Sequence, residues 1–411
     1  MNILIVNRFI ALLGGVERYL IGLCEALSEK GVQVDFLYAE DTPNADLVAK
    51  SRKRFVIPEI WQQENRLTQN TRGKLLQVLQ ESRPDFIFFQ NVENAKAMHF
   101  LSSAAPSVRY IHHHKATCPD GKRLLHHPES FCLHPASFSC ILRAHFRRCM
   151  PRLPSKAWTA YRRATSGLSV IRSLRGIVVS SHFMKAVLIR NRIRGEVIHV
   201  LHHFPPWEPE DWVAPGRPKG LLFVGRLVPG KGIQEIIEMM AHLENDITLE
   251  VVGDGELRLQ AELLTRSKEL QDRITFSGWL SGSDLMEAYR RNALLVVPAM
   301  SPEPFGVIGI EAAALCRPAV AFDVGGISEW LKDRRTGMLV KPGDFLQFNR
   351  AIEHLLTDPR RLRELGNQAA QFTATHFSRQ VHIARLMNII EGVRRRGDSQ
   401  HRRDNPFMGL V

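Results

Sequence analysis

The sequence predicts an α/β protein of two doubly wound parallel-sheet domains facing each other across a cleft. Three observations predict it. Strand and helix patterns alternate through the first half of the chain. The rhythm breaks at residues 202–220, "HHFPPWEPEDWVAPGRPKG", which holds five prolines. The alternation then restarts and continues toward the C-terminus. Such alternation implies crossover helices covering both faces of a parallel sheet. The chain's 411 residues exceed what one compact core usually carries.

Each element follows from its pattern. "NILIV" is a buried strand, and "GGVERYLIGLCEALSEKG" a helix with apolar Val16, Leu20, Leu23, Ala26 and Leu27 that closes at Gly31. "VQVDFLY" is a strand, "GKLLQVLQESRP" a helix and "DFIFFQ" a strand. "VRYIHHH" is a strand ending in polar residues. "GIVVSS", "HFMKAVLIRNR" and "GEVIHVL" read as strand, helix and strand. Beyond the proline-rich stretch, the strands are "GLLFVG", "ITLEVVG", "ITFSG", "ALLVVPA", "PAVAF" and "GMLVK". Helices lie between them, and helical segments follow to the end. The division is residues 1–204 (N-terminal domain, with a Cys-rich basic insertion at 115–175), linker 205–219 and C-terminal domain 220–375. A helix at 376–395 crosses back to the N-terminal domain, and a basic tail at 396–411 is expected to be disordered.

Composition is that of a soluble globular chain, 44% hydrophobic and 24% charged. No apolar run reaches bilayer-spanning length, and the start lacks the pattern of a secretory signal. A cytoplasmic location is therefore expected, with peripheral attachment to the inner face of the plasma membrane. The net charge is +13, with 55 Lys and Arg against 42 Asp and Glu. Residues 131–194 carry 13 basic and no acidic side chains, so the remainder balances at 55 − 13 = 42 against 42. Phe138, Ile141, Leu142, Phe146, Met150, Leu153, Trp158 and Tyr161 punctuate that segment. Basic residues interleaved with large apolar ones suit an anionic membrane surface. Nucleic acid is the competing partner, and a solvated basic face the plain alternative. Four of the six cysteines fall in this region as Cys118-x13-Cys132-x7-Cys140-x8-Cys149. With no CxxC pair they are read as ordinary thiols, and a metal-braced insertion is the alternative. Cys24 and Cys316 read as core residues.

In open parallel sheets, ligands bind beyond the carboxyl ends of the strands, and the chemistry-bearing residues fall there. Gly14 and Gly15 open the first helix. His112, His113 and His114 end a strand and offer hydrogen bonds to a sugar or phosphate, or serve structure alone. "FVGRLVPGKGI" sets Arg226 and Lys231 on a Gly/Pro loop before a helix, a diphosphate clamp that is not a Walker loop. Glu303 and Glu311 stand eight residues apart in "EPFGVIGIE". In one helix they would be ~12 Å apart along the axis and turned by roughly 80°. With Glu303 in the Pro/Gly loop and the helix starting near residues 305–307, they can grip two ends of one ligand. The backbone N–H groups between them would meet its anionic middle. "DVGG" adds Gly325 and Gly326, suited to close approach of a phosphate; Asp323 and Glu329 are given structural roles.

These motifs resemble glycosyltransferase family 4, enzymes of the GT-B fold with two Rossmann-like domains. "EPFGVIGIE" is similar to that family's E-x7-E signature. "GRLVPGKG", "VVGDGEL", "FSGWL" and "DVGGISEWL" follow in the family's order, and "GGVERYL" and "VVSSHFMK" match more loosely. The resemblance implies retaining transfer of a sugar from a nucleotide diphosphate donor to an acceptor hydroxyl, in surface polysaccharide or glycolipid synthesis. Glu311 would accept the ribose hydroxyls and Glu303 would contact the hexose. Arg226 and Lys231 would neutralise the leaving diphosphate. Phe305, Gly306 and Val307 would present backbone amides, and Gly15 would close on the phosphate. His112, with His113 and His114 as alternatives, would support the sugar near its anomeric carbon. No D-x-D pair marks a metal-bridged donor, so no metal and no cofactor is expected. The competing readings are a nucleotide-sugar epimerase or phosphorylase of the same architecture, and an inactive basic protein binding membrane or nucleic acid.

Overall fold

The computed structural model of the chain describes residues 1–9, 15–40, 51–61, 66–126, 129–150 and 153–404. Packing divides it into two units. The first comprises Met1–Thr117, Arg162–Pro206 and the chain from Arg379 onward; the second comprises Cys118–Tyr161 and Trp207–Ser378.

The first unit opens with β1 (Asn2–Val6), α1 (Gly15–Glu29), β2 (Gln33–Tyr38), β3 (Lys53–Val56), α2 (Gln69–Ser82), β4 (Phe86–Phe89), α3 (Ala95–Ala104) and β5 (Ser107–Ile111). After β6 (Leu124–His126), β7 (Glu129–Phe131), α4 (Ser139–Arg147) and the long α5 (Pro154–Ser173), it continues with β8 (Ile177–Val179), α6 (His182–Arg190) and β9 (Ile198–Val200). Its seven strands run parallel in the order β3-β2-β1-β4-β5-β8-β9. The alternation of side chains along a strand, with both faces covered, explains why β1 is apolar from Ile3 to Val6. Ile3 and Ile5 pack with Leu20, Leu23 and Leu27 of α1, whereas Leu4 and Val6 pack with Leu75 and Val78 of α2 and Met98 and Leu101 of α3. Full burial of each such side chain stabilises the fold by about 1.5–3 kcal/mol. The helices are bounded by local chemistry as well. The Thr68 hydroxyl accepts from the Thr71 N–H at 3.1 Å to start α2, and Arg83 in the left-handed region at φ 47° ends it.

The second unit is built from β10 (Arg217–Val224), α7 (Ile233–Met240), β11 (Thr248–Val252), α8 (Arg258–Ser267), β12 (Ile274–Gly278), α9 (Gly282–Arg291), β13 (Asn292–Val297), α10 (Val307–Ala314), β14 (Ala319–Phe322), α11 (Ile327–Trp330), β15 (Gly337–Val340), α12 (Phe345–Thr357) and α13 (Pro359–Phe377). Its six strands are parallel in the order β12-β11-β10-β13-β14-β15 around one continuous apolar core. The chain builds outward from β10 in one direction and from β13 in the other. The β10/β13 boundary is therefore the switch point where a ligand crevice forms. In the first unit the same reversal lies between β1 and β4.

α14 (Arg379–Asp404) belongs to the first unit, where Ile383, Leu386, Ile390 and Val393 join the α1 side of the core. This is the returning helix that the sequence suggests, and it is longer. Residues 396–404, expected as disordered tail, continue the helix; residues 405–411 lie outside the described residues. Two other expectations change. The insertion at 115–175, assigned to the N-terminal domain, is split, and its part Cys118–Tyr161 packs with the second unit. The physical reason is apolar burial. Leu124 is enclosed in the second unit's core, Phe131 packs against it, and Lys122 lies 3.9 Å from Glu256. The linker at 205–219 is likewise no free connector. The Trp207 indole N–H donates to the Glu311 carbonyl at 3.0 Å, and β10 already begins at Arg217.

Candidate active site

In the second unit the loop after β10 carries Arg226 and Lys231, and the loop after β13 carries Glu303. The Gly230 carbonyl accepts from the N–H groups of Met300 and Ser301 and from the Ser301 hydroxyl, each at 3.0 Å. Gly232 has φ +86°, and a Cβ there would stand 2.0 Å from the Pro298 carbonyl oxygen. Loop-to-loop packing therefore requires these glycines, so their placement is not by itself a sign of phosphate binding. The packing sets Lys231 Nζ 2.5 Å from Glu303 Oε1. Arg226 is exposed and makes no ion pair among the described residues.

The backbone of Glu303 is held just as firmly. Gly325, at φ +67°, leaves no room for a side chain, since its Cβ would meet the Glu303 carbonyl oxygen at 2.2 Å. The neighbouring Gly326 N–H donates to that oxygen at 2.8 Å. The "DVGG" turn is thus a brace for the Glu303 loop, a role the sequence reading did not assign. Gly306, at φ +88°, then starts α10. The Phe305 ring is buried against Phe377 at 5.5 Å, and the Trp330 indole N–H donates to the Phe305 carbonyl at 2.7 Å. The Trp330 ring fills the space beside Gly309, where a Cβ would approach it to 2.2 Å. Phe305, Gly306 and Val307 are accordingly positioned by backbone, with the side chain of Phe305 spent on the core. One turn into α10, Glu311 is buried, and the Tyr289 hydroxyl donates to its Oε2 at 2.8 Å. Sequence reasoning missed Tyr289, Trp207 and Trp330. The two glycines three apart at Gly306 and Gly309 were the signal for Trp330; the other two left none.

In the first unit a cavity of about 200 Å³ opens at the carboxyl ends of β1, β4 and β5, lined by Arg8, Gln90, Asn91, Arg109, His112 and His113 among others. His112 Nε2 donates to Gln90 Oε1 at 2.6 Å, and its Nδ1 is enclosed without a partner. Burial, with His203, His113 and Arg109 nearby, holds its imidazole well below the usual histidine range, so it is neutral at pH 7. With Nε2–H committed to Gln90, the unprotonated Nδ1 of His112 stays inside the protein. His113 lines the same cavity, whereas His114 is buried edge-on to Phe183 at 6.0 Å. Behind His112 lies a buried stack. The Tyr110 ring is 4.2 Å from His112, Tyr19 meets His203 at 4.9 Å, and the Tyr19 hydroxyl bonds His382 Nε2 at 3.0 Å. His382 Nδ1 donates to the His202 carbonyl at 2.6 Å, which fixes the tautomer. Burial lowers His203 to about 3 and His382 to about 4. Gly15 opens α1 in open space; Gly14 lies outside the described residues.

Comparison with known proteins agrees with this layout. Residues 208–372 match the family model for glycosyl transferases group 1, and residues 13–204 match that for glycosyltransferase family 4. The chain is 32% identical over 161 residues to the alpha-D-kanosaminyltransferase of Streptomyces kanamyceticus, covering 38% of this chain and 42% of that one. It is 33% identical over 177 residues to the D-inositol 3-phosphate glycosyltransferase of Nocardia farcinica, covering 39% and 38%. The chain thus spans about two-fifths of the length of these curated relatives. Its fold superposes on Anabaena HepE in complex with UDP with a TM-score of 0.68 at 19% identity, covering 96% of this chain and 99% of that one. HepE has also been solved with UDP-glucose. Sucrose-phosphate synthase from Thermosynechococcus elongatus gives 0.70 at 20% identity, covering 95% and 98%. With two parallel-sheet Rossmann-like units, each matched by its own family model, the chain belongs to glycosyltransferase family 4 of the GT-B fold.

Proposed function

We propose that the protein transfers a sugar from a nucleoside diphosphate sugar to an acceptor hydroxyl, with retention at the anomeric carbon and without a metal. The observation that carries this reading is the Lys231–Glu303 contact at the β10/β13 switch point, in the loop that leads into the helix carrying buried Glu311. Glu311, oriented by Tyr289, accepts the ribose hydroxyls. Glu303 accepts from the donor sugar. Lys231 and Arg226 meet the charge that develops on the departing diphosphate, aided by the backbone N–H groups of Phe305, Gly306 and Val307 at the start of α10. Fixed donors of this kind need no reorganisation as the charge appears. His112, neutral and bonded to Gln90, lines the cavity and would support the transferred sugar there. The UDP and UDP-glucose held by HepE support a nucleotide-sugar donor. Thermal melting with nucleoside diphosphates tests the reading: stabilisation is expected, and no shift with any nucleoside diphosphate or nucleotide sugar overturns it.

The acceptor is proposed to be a lipid-linked or surface glycan, reached at an anionic membrane. Phe138, Leu142 and Phe146 recur every fourth residue along α4 and are 60%, 60% and 72% exposed. Arg143, Arg147 and Arg148 interleave with them. Such a stripe suits an interfacial helix, and no described helix is long and apolar enough to cross a membrane. Sedimentation with anionic vesicles at low salt is expected, and its absence would sink the membrane reading.

A further inference from the structure

We propose that Arg109 recognises an anionic group, a carboxylate or a phosphate, on the acceptor that the first unit binds. The inference rests on the sugar-transfer reading above, in which Lys231 and Arg226 of the second unit meet the charge of the donor. Arg109 is the middle residue of β5, "SVRYI". Its register partners are Phe89 of β4 and Ile177 of β8, both fully buried. An inner strand of a sheet covered on both faces ordinarily carries an apolar residue at such a position. Arg109 is only 8% exposed there. Burial pushes its guanidinium down to about 10, against the pull of exposed Glu93, so it stays charged at pH 7.

The charge has no close partner in the fold. Nε is enclosed without a hydrogen bond. Among the described residues no carboxylate, carbonyl or hydroxyl accepts from the guanidinium. Two other arginines are buried among the described residues, Arg123 and Arg317, each 2% exposed. Both are tied to backbone. Arg123 donates to the carbonyls of Cys132 at 2.7 Å and His134 at 3.3 Å. Arg317 donates to those of Tyr289 at 3.1 Å and Arg290 at 2.8 Å. An arginine buried for structure has bonds of that kind, and Arg109 has none. A buried charge without a partner is costly, and a fold that keeps one is placed to receive its countercharge from a ligand.

The surroundings fit such a ligand. Arg109 lines the cavity at the carboxyl ends of β1, β4 and β5. Among the charged residues lining it, Arg8, Arg109 and Lys115 face one acid, Glu93. Arg8 stands 3.8 Å from Glu40, whereas exposed Lys115 makes no ion pair among the described residues. Trp61 lines the same cavity, its indole N–H donating to the Asn91 carbonyl at 2.8 Å. A planar cationic fork beside an aromatic ring suits a sugar that carries a carboxylate or phosphate, since the fork matches either anion and the ring packs on the sugar.

Calorimetric titration of the full chain tests this, with the nucleoside diphosphate that gives the largest thermal shift present throughout. The probes are glucose, glucuronate and glucose 6-phosphate, and their galacto counterparts. One anion is expected to bind about 10–100-fold tighter than its neutral sugar, as charge-assisted hydrogen bonds do. Preference for the uronate assigns an acidic-sugar acceptor, and preference for the sugar phosphate a phosphorylated one. Arg109→Met should remove the preference and leave neutral-sugar binding as it was. Arg109→Lys, which keeps the charge but not the fork, should fall between. Arg109→Met should also melt at or above wild type, because the arginine has no partner to lose. The proposal is overturned if neither anion binds tighter than its neutral sugar, or if Arg109→Met keeps the preference. It is also overturned if Arg109→Met melts more than about 5 °C below wild type, which marks the arginine as structural. If nucleoside diphosphates stabilise the wild-type chain but the anion preference is absent, this inference alone falls; if they do not stabilise it, the transfer reading falls with it.

Discussion

Glu250 and Glu303 are carboxylates of the same six-stranded unit, 1% and 8% exposed, and their environments are opposite. Glu250 on β11 is saturated. Arg291 grips both oxygens, the Asn292 amide donates at 2.8 Å, the Ser277 hydroxyl donates at 2.6 Å, and Arg217 stands 3.6 Å away. Burial pushes its carboxyl up, but hydrogen bonds from Arg291, Ser277 and Asn292 outweigh it and hold it below the usual range. Glu303 has one side-chain partner among the described residues, Lys231, and its firm contacts are made through its backbone. A structural carboxylate takes all its partners from its own fold. One whose backbone is fixed and whose head is lightly partnered is placed to exchange partners with a ligand.

Substitution separates the two most sharply at Glu250. Glu250→Ala takes the acceptor from half-buried Arg291 and the Ser277 hydroxyl, leaves Asn292 only its bond to the Ala288 carbonyl, and should cost about 3 kcal/mol of stability. Denaturant unfolding measures this, and a loss under about 1 kcal/mol would break the contrast. Glu303→Gln should do the reverse. Its unfolding midpoint should stay near wild type while sugar transfer falls on the order of 100-fold, about 3 kcal/mol of barrier. Unchanged turnover would remove Glu303 from the mechanism.

Acid sharpens the comparison by unit. His203 and His382 are lowered to about 3 and about 4 in the fold, against about 6.5 when unfolded. Below pH 6.5 the unfolded chain takes up protons that these histidines refuse, so stability is intact above that pH and falls as pH drops toward 4. A loss of roughly 2–3 kcal/mol by pH 5.5 is expected from the pair. Glu250, lowered rather than raised, stays ionised there. Unfolding followed by hydrogen exchange should therefore show the first unit opening first. Tyr289→Phe is the mildest probe. Loss of the hydroxyl that orients Glu311 should weaken nucleotide binding by about 1 kcal/mol with little change in folding. Calorimetric titration with the best-binding nucleoside diphosphate would measure it.

The alternation that named the fold was legible because each strand of a covered parallel sheet is apolar on both faces. β3, α3, α4 and α5 were not read. β3 is an edge strand with alternating exposed residues, and α4 and α5 belong to a segment without a core of its own. Of the candidate site, Lys231 and Glu303 were legible because their loops carry glycine and proline around a charge, and Glu311 because it is a lone carboxylate in an apolar helix. Tyr289, Trp207 and Gln90 were invisible because each meets its partner only through the fold, at separations of 22, 104 and 22 residues.

By itself the sequence determined two parallel-sheet units, the residues at their strand ends and the family they match, since these rest on local periodicity and spacing. Tertiary structure alone decided what the glycines are for. Gly232 and Gly325 make room for neighbouring backbone, and so hold Lys231 and Glu303 together. It alone also decided that Cys118–Tyr161 packs with the second unit, because a short apolar segment goes where a core can bury it.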